Sequence, residues 1–375
     1  MTIGILKETS PENRVSLSPE SVEELNKNHI NVFVENGAGE LSFYDDGLYL
    51  EAGAKISDRN NIMNNSDIIL TIHPLLDSDL GKLRTTAILM GVFSPLLNIS
   101  FVNKLKERGI TSFSLDAVPR VTRAQSMDVL SSMATVAGYK AVLDAAMHLP
   151  SFFPMFMTAA GTIKPAKVLV LGAGVAGLQA IATARKLGAQ VFAFDVRSAV
   201  KEEVQSLGAK FVEVEGARED SSAGGYAVEQ TEDFKKKQAK AVHDQAIKSD
   251  VIITTAQIPG KQAPVLIKQS TVDEMKPGSV IVDLAASTGG NCELTKPDEI
   301  MKYRRVKIIG QSNYPSTLPA DASKMFGKNV VNFLKLLIDK EGNLSIDFED
   351  EIIKSACITH NRGILNERVK SVINQ

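Results

Sequence analysis

Short apolar runs alternate with amphipathic segments along the first third of the chain. Each run is only long enough for one buried strand, and five of them precede residue 125: Ile3–Leu6, Val32–Glu35, Ile68–Ile72, Ala87–Val92 and Thr111–Leu115. Strands that alternate with helices normally form a parallel sheet with helices on both faces. The pattern therefore predicts a doubly wound parallel sheet in this part of the chain.

Six more apolar runs follow, and two long helical patterns flank them. The helical patterns cover about Met127–His148 and about Asp321–Ile338. Between them, the runs that predict strands are Val168–Leu171, Val191–Phe194, Phe211–Val214, Val251–Thr255, Val280–Leu284 and Val306–Ile309. Six strands of this kind suffice for a Rossmann sheet.

Together the two sets of elements predict an α/β fold with two doubly wound parallel-sheet domains joined by two long helices. We expect a flavodoxin-like first domain of residues 1–126 and 336–375. We expect the second domain, residues 127–335, to be a Rossmann dinucleotide-binding domain with a linker helix at each end. Catalytic chemistry is expected in the cleft between the domains.

Composition excludes several classes of function. A net charge of -2 without a basic block argues against nucleic acid as a partner, and no apolar run is long enough to span a bilayer. Nothing at Met1 resembles a signal peptide, and Cys292 and Cys357 are the only two cysteines, so a reducing cytoplasm is expected. The five histidines lack the spacing of a metal site, so we expect no metal.

One window, residues 167–195, contains a complete dinucleotide-binding unit. A predicted strand ends in Gly172, Gly174 and Gly177, spaced G-x-G-x-x-G, and a predicted helix and second strand follow. In such a unit the glycines permit a tight turn, close approach of a pyrophosphate and close helix–strand packing. The helix N-terminus then faces the phosphates. We therefore expect the loop itself to bind the cofactor, through the three glycines and the intervening Val175 and Ala176.

The end of the second strand predicts which dinucleotide binds. Asp195 can accept hydrogen bonds from the adenosine ribose hydroxyls and would repel a 2′-phosphate, which favours NAD(H) over NADP(H). Arg197 weakens this argument, because a nearby arginine could accommodate a 2′-phosphate. We expect Asp195, Val196 and Arg197 all to contact the cofactor.

A long polar segment from Glu215 to about Lys240 interrupts the alternation of strands and helices. Its centre, residues 223–227, combines glycines with one aromatic side chain, Tyr226. A loop of this length is usually functional or disordered. Composition alone leaves two interpretations open, a mobile lid over the ligand and an irregular surface insertion.

Motifs along nearly the whole chain carry a family resemblance. The stretches concerned are KETSPENRVSLSPESVEEL, PRVTRAQSMDVLSSMATVAGYKAV, GAGVAGLQAIATA, DVRSAVKEEVQSLGAKF, AGGYA, IPGKQAPVLI and MKPGSVIVDLAASTGGNCE. The chain resembles domain I, the NAD(H)-binding part, of proton-translocating nicotinamide nucleotide transhydrogenase, the Si-specific/Re-specific type. Alanine dehydrogenase shares the overall fold.

The resemblance implies roles for four residues within PRVTRAQSMDVLSS. Arg120 and Gln125 would hydrogen-bond the NADH carboxamide or the neighbouring ribose and phosphate, Asp128 would orient Arg120, and Ser131 would contact the carboxamide. For Asp128 and Ser131 the alternative is helix capping, since both lie near the start of a long predicted helix. The match of Tyr226 to the family's mobile-loop tyrosine favours the lid. Further cofactor contacts are expected at Gly225, Tyr226, Ala256 and Leu266.

Alanine dehydrogenase is the second candidate. Its reaction needs a lysine and a histidine for proton transfer in the first-domain cleft. Where that family carries the histidine, this chain reads residues 89–95 without a titratable side chain, and the lysine's region reads residues 71–74, Thr-Ile-His-Pro. Lys7 and Arg14 resemble that family's substrate-contacting positions, and we favour an ion pair or a structural turn for them.

Hydride transfer between two nicotinamide rings needs positioning and no acid or base. The resemblance therefore implies direct transfer from NADH, bound here, to NADP⁺ on a partner domain, coupled to proton translocation by a membrane subunit. It also implies a homodimer, cytoplasmic and peripheral to the cell membrane through its partner subunits. A third interpretation is a noncatalytic NAD-binding regulatory module.

Overall fold

A computed structural model describes residues 1–214, 216, 231–258 and 260–373. Its strands are β1 Thr2–Ile5, β2 Asn31–Glu35, β3 Lys55–Ser57, β4 Ile68–Leu70, β5 Ile88–Gly91, β6 Thr111–Ser114, β7 Phe156–Thr158, β8 Gly161–Ile163, β9 Lys167–Leu171, β10 Gln190–Phe194, β11 Lys210–Phe211, β12 Val251–Thr254, β13 Val280–Asp283, β14 Ile300–Tyr303, β15 Val306–Ile309, β16 Cys357–His360 and β17 Gly363–Ile364.

The α-helices follow the same chain order. They are α1 Pro19–Lys27, α2 Asp46–Glu51, α3 Arg59–Asn65, α4 Asp77–Leu80, α5 Ile99–Arg108, α6 Val129–His148, α7 Val175–Lys186, α8 Lys201–Ser206, α9 Glu232–Ala246, α10 Gln269–Glu274, α11 Pro319–Leu334, α12 Glu351–Ala356 and α13 Glu367–Ile373. None of the helices within the described ranges is both long enough and apolar enough to cross a membrane.

The chain divides into two compact units. Unit 1 contains Met1–Met133 and Pro315–Gln375, and unit 2 contains Ala134–Tyr314. Helix α11, which the sequence pattern assigns to the second domain, falls in unit 1. The reason is its apolar face: Phe326, Val330 and Phe333 are buried in the core cluster of unit 1, and the Phe333 ring meets Phe113 of β6 edge-on at 5.6 Å.

Unit 1 is built on one eight-stranded sheet, in the order β17-β16-β6-β5-β4-β1-β2-β3. The five predicted strands are present and all run parallel. The structure adds β3 at one edge and the antiparallel hairpin β16–β17 at the other. Alternate residues point to opposite faces, so that Ile68 packs in one buried cluster and Ile69 in another. Both faces of the sheet are thus covered, as a doubly wound fold requires.

Unit 2 is built on a seven-stranded sheet, in the order β11-β10-β9-β12-β13-β15-β14. The six predicted strands are parallel, which confirms the predicted fold class. β14 is an additional antiparallel edge strand, and β11 covers two residues of the longer strand predicted at Phe211–Val214. The strand order reverses on either side of β9, and this reversal is where open α/β sheets bind ligands.

Candidate functional site

The loop between β9 and α7 has the geometry expected of a phosphate-binding turn. Gly172 has a φ of +98°, which disfavours any residue with a Cβ. A Cβ on Gly177 would lie 1.9 Å from the carbonyl oxygen of Gly172, so only glycine allows α7 to pack this close to the loop. Gly174 differs, because a Cβ there would meet no atom within 4 Å. Packing of the described chain therefore explains the first and third glycines and does not explain the second.

Gly174 also marks the start of α7. It occupies the N-cap position, and no side chain caps the helix there. The first N–H groups of a helix have no partner within the helix and carry the positive end of its dipole. The β9–α7 loop is therefore suited to an anion at Val175 and Ala176.

Asp195, directly after β10, accepts four hydrogen bonds. Arg197 donates three of them, from its backbone N–H and Nε to Oδ1 at 2.9 Å each and from its second terminal nitrogen to Oδ2 at 2.7 Å. The fourth comes from the Ala173 N–H within the glycine loop, 2.7 Å from Oδ2. Burial acts to raise the pKa of Asp195, but the hydrogen bonds and charge of Arg197 outweigh it and the pKa is lowered. The carboxylate is thus ionised and held next to the loop.

Arg197 is itself engaged by this pairing. Its guanidinium lies flat against the carboxylate in a two-point contact, and hydrogen bonding to Asp195 raises the pKa of Arg197 further. The positive charge that could accommodate a 2′-phosphate is therefore balanced by Asp195. Val196 lies between these two residues and packs against the unit 2 core.

Two buried polar side chains that sequence reasoning missed organise the loops after β12 and β13. Asp283 is fully buried and accepts hydrogen bonds from Thr254, from Thr295 and from the backbone N–H groups of Ala285, Asn291 and Cys292. Asn291 is also fully buried. Its amide pairs with both the N–H and the carbonyl of Ala256 and donates to the carbonyl of Pro264, at 2.8 to 3.0 Å.

The same asparagine connects both predicted cofactor positions of this region. Its backbone carbonyl accepts the N–H of Leu266 at 2.8 Å, so Ala256 and Leu266 are both held by Asn291. The only sequence signal was the glycine pair Gly289–Gly290 after a buried strand, both in the left-handed region. Gly225 and Tyr226, the predicted lid residues, lie outside the described residues.

In unit 1 the structure brings together the four residues predicted to act on the nicotinamide. Arg120, Gln125, Asp128 and Ser131 line one cavity of about 300 Å³, whose lining comes entirely from residues 119–131. The segment forms a 3₁₀ helix, Thr122–Met127, followed by α6. Ala124 and Met127 are buried in the unit 1 core, whereas Gln125 between them is exposed.

Asp128 and Ser131 form the capping arrangement that the sequence offered as an alternative. Asp128 Oδ1 accepts the N–H of Ser131 at 2.9 Å, and Oδ2 accepts its hydroxyl at 2.6 Å. This capping fixes the start of α6. It also places two polar side chains in the cavity wall, so capping and ligand contact are compatible roles here.

Arg14 and Lys7 form the ion pairs that the structural interpretation anticipated. Arg14 makes a two-point contact with Glu12, with nitrogen–oxygen distances of 2.7 and 2.8 Å, and both side chains are at least 95% buried. His73 lies 2.8 Å from the same carboxylate. Lys7 pairs with Glu40 at the surface. The guanidinium of Arg14 thus already has a carboxylate partner within the chain.

A carboxyl group that the sequence did not reveal lies beside residues 93 and 94. Asp116 accepts the hydroxyl of Ser114 and backbone hydrogen bonds from Phe93 and Ser94. Burial raises the pKa of Asp116, although these hydrogen bonds act to lower it. Among the described residues, no group of histidines, cysteines and carboxylates is arranged to hold a metal ion.

Comparison with known proteins agrees with both units. The alanine dehydrogenase/PNT N-terminal domain matches residues 4–137, and the corresponding C-terminal domain matches residues 141–367. The first of the separate chains that make up the NAD(P) transhydrogenase alpha subunit of Rhodospirillum rubrum is 46% identical over 98% of both chains. NAD(P) transhydrogenase subunit alpha of Haemophilus influenzae is also 46% identical, over 96% of this chain and 70% of its own length.

Solved structures give the same result. A transhydrogenase from Sinorhizobium meliloti superposes with a TM-score of 0.89 at 41% identity, over 97% of this chain and 100% of that one. An L-alanine dehydrogenase superposes with a TM-score of 0.80 at 22% identity, over 100% and 99%, and so shares the fold. The chain therefore belongs to the alanine dehydrogenase/PNT family and, within it, to the group of the NAD(P) transhydrogenase alpha subunits.

Proposed function

We propose that this chain is the NAD(H)-binding catalytic subunit of a proton-translocating transhydrogenase. In the reaction, hydride passes from C4 of NADH on this chain to C4 of NADP⁺ on a partner domain, giving NAD⁺ and NADPH. No proton is exchanged with either ring, so the demand on the protein is to position the ring. The observation that carries the proposal is the cavity of residues 119–131, which gathers Arg120, Gln125, Asp128 and Ser131 without a lysine or histidine in its lining.

The β9–α7 loop supports NADH binding at its pyrophosphate. Gly174 is the one glycine of the fingerprint that packing of the described chain leaves unexplained, and a pyrophosphate lying against its Cα would explain it. Val175 and Ala176 would donate backbone N–H groups from the start of α7.

Asp195 supports the choice of NAD(H) over NADP(H). Its ionised carboxylate would accept the adenosine ribose hydroxyls and repel a 2′-phosphate. Arg197 would keep that carboxylate oriented, and Val196, Ala256 and Leu266 would line the cofactor through backbone and apolar contacts. Gly225 and Tyr226 would close over it as a lid.

The nicotinamide end would be held by hydrogen bonds. Gln125 and Arg120 would bind the carboxamide or the neighbouring ribose and phosphate, and Ser131 would contact the carboxamide. Asp128 would orient Arg120 while it caps α6. An amide such as Gln125 suits a carboxamide, because each group offers one acceptor and two donors to the other.

A hairpin in unit 2 supports self-association. All six residues of β7 and β8 are exposed, and the hairpin and its flanks present large apolar side chains, among them Met155, Phe156 and Met157. Contiguous exposed apolar surface of this kind marks interaction sites. We propose that it forms a homodimer contact. The NADP(H)-binding domain and the membrane proton-channel subunit would be the other partners, holding this chain at the cytoplasmic side of the membrane.

The proposal is tested by single-turnover hydride transfer. The chain loaded with NADH is mixed in a stopped-flow instrument with a purified transhydrogenase NADP(H)-binding domain carrying NADP⁺. We expect NADPH to form in one rapid phase, and Gln125→Ala to slow that phase by about 10-fold or more, because correct placement of the ring is lost. Absence of transfer by the wild-type chain, with NADH demonstrably bound, would contradict the proposal.

A further inference from the structure

The carbonyl of Ser126, next to Gln125, is held by two asparagines from a distant part of the chain. Asn329 Nδ2 donates to it at 2.8 Å and Asn332 Nδ2 at 3.1 Å. Both asparagines belong to α11, and their three-residue spacing puts them on the same side of that helix. They lie 203 and 206 residues further along the chain, yet both amides converge on one oxygen.

The burial of Asn329 indicates that this contact serves more than packing. Its side chain lies among the apolar residues of α11, including Phe326, Val330 and Phe333, and its own Oδ1 is buried without a hydrogen-bond partner. A buried acceptor without a partner lowers the stability of the fold. An apolar side chain of the same size would avoid that loss, so the amide is retained at a cost in stability and what it supplies is the bond to Ser126.

The rest of the segment around Gln125 is anchored in the same way. Arg123 forms an ion pair at 2.7 Å with Asp350, which caps α12. Ala124 and Met127 are buried in the unit 1 core on either side. Gln125, in the middle, keeps an exposed side chain in the cavity wall. The arrangement fixes the backbone on both sides of one polar side chain.

We propose that Asn329 and Asn332 are positioning residues for hydride transfer. By holding the Ser126 peptide they fix the direction in which Gln125 points, and through it the orientation of the nicotinamide ring. This inference rests on the proposed function. It predicts that losing the two amides affects the transfer rate much more than NADH affinity, because the adenosine and pyrophosphate contacts come from other residues. Displacement of a reacting group by about 1 Å can slow a reaction by about 100-fold.

The experiment compares three variants with a matched control. Asn329→Leu keeps the packing and removes both the donor and the acceptor without a partner. Asn332→Asp keeps the shape and replaces the donor with an acceptor that faces the carbonyl, and a double variant combines the two changes. The control is Asn28→Ala, which removes an asparagine amide that donates to a backbone carbonyl at the same 2.8 Å distance, but at the end of α1.

Three quantities are measured on the full chain: the NADH dissociation constant, the single-turnover rate of transfer to NADP⁺ on the partner domain, and the thermal midpoint. We expect Asn332→Asp and the double variant to slow transfer by about 10- to 100-fold at saturating NADH, with the NADH dissociation constant changed by less than about threefold. Asn329→Leu should slow transfer while its thermal midpoint stays at or above that of the wild type. Asn28→Ala should transfer at the wild-type rate.

Two results would overturn the inference. One is a double variant that folds and transfers as fast as the wild type. The other is a loss of NADH affinity as large as the loss of rate, which would indicate general disorder of the unit. If the wild-type chain itself transfers no hydride, the proposed function fails instead, so the two failures are distinguishable.

Discussion

The glycine loop offers a matched pair of substitutions that separates the fold from the cofactor site. Gly174→Ala adds a methyl group where no atom lies within 4 Å, at a backbone conformation of φ -78° and ψ -170° that alanine adopts readily. Alanine gains about 0.4–1 kcal/mol from the unfolded state and loses a few tenths as an N-cap. The free energy of unfolding should therefore change by less than about 1 kcal/mol.

The same methyl group would point at the proposed pyrophosphate position. Loss of one charge-assisted hydrogen bond to the phosphate would remove about 1.5–3 kcal/mol of binding free energy. At about 1.4 kcal/mol per factor of ten, NADH would bind about 10- to 150-fold more weakly.

Gly177→Ala is the control for the fold. Its Cβ would lie 1.9 Å from the Gly172 oxygen and 2.9 Å from the Gly172 carbonyl carbon, so α7 must move away from the loop. Overpacking typically costs about 1–3 kcal/mol, and a clash with backbone should reach at least that range. The assay is NADH fluorescence titration beside urea unfolding. Wild-type NADH affinity in a folded Gly174→Ala variant would refute the placement of the pyrophosphate.

Three further predictions concern the charge, the ion pair and the hairpin. Asp195→Asn should lower the ratio of NADH to NADPH affinity by about 10-fold or more, because repulsion of the 2′-phosphate is lost; an unchanged ratio in paired titrations would contradict it. Arg14 and His73 lower the pKa of Glu12 below its unfolded value of about 4.5, although burial acts to raise it. The stability from Glu12 is thus present above pH 4.5 and lost as pH falls. Glu12→Gln should therefore be less stable at pH 7, by about 3–5 kcal/mol, with a flatter decline in thermal midpoint from pH 5 to 3; a decline as steep as that of the wild type would argue against the pair. Met157→Asp should shift the chain from dimer to monomer in sedimentation with NADH affinity retained, and a wild-type chain that is monomeric at high concentration would exclude the contact.

The sequence predicted the centre of each sheet better than its edges. β9 and β12 are fully apolar runs between turn signals, so periodicity and burial agree. β14 alternates exposed and half-buried residues, and β3 and β17 contain three and two residues. Edge strands this short make too few contacts with the core to leave a pattern in the sequence.

The candidate site divides in the same way between local and distant contacts. Arg120, Gln125, Asp128 and Ser131 lie within twelve consecutive residues, so a motif could bring all four to one cavity. The residues that hold that segment come from far along the chain: Asn329, whose bond to Ser126 spans 203 positions, carries no local sign of its role. The buried Asp283 likewise looked like the end of a strand. Polar side chains that organise backbone become visible only when the fold places their partners beside them.

The measurement that tests the central claim most directly follows the transferred hydrogen itself. NADH carrying deuterium at both C4 positions is bound to this chain and mixed with the NADP⁺-loaded partner domain in ordinary water, and the NADPH formed is analysed by mass spectrometry. We predict one deuterium in nearly every NADPH molecule and no reduction of pyruvate with ammonia in a parallel sample. NADPH without deuterium, or conversion of pyruvate to alanine in place of transfer, would contradict direct hydride transfer from this site.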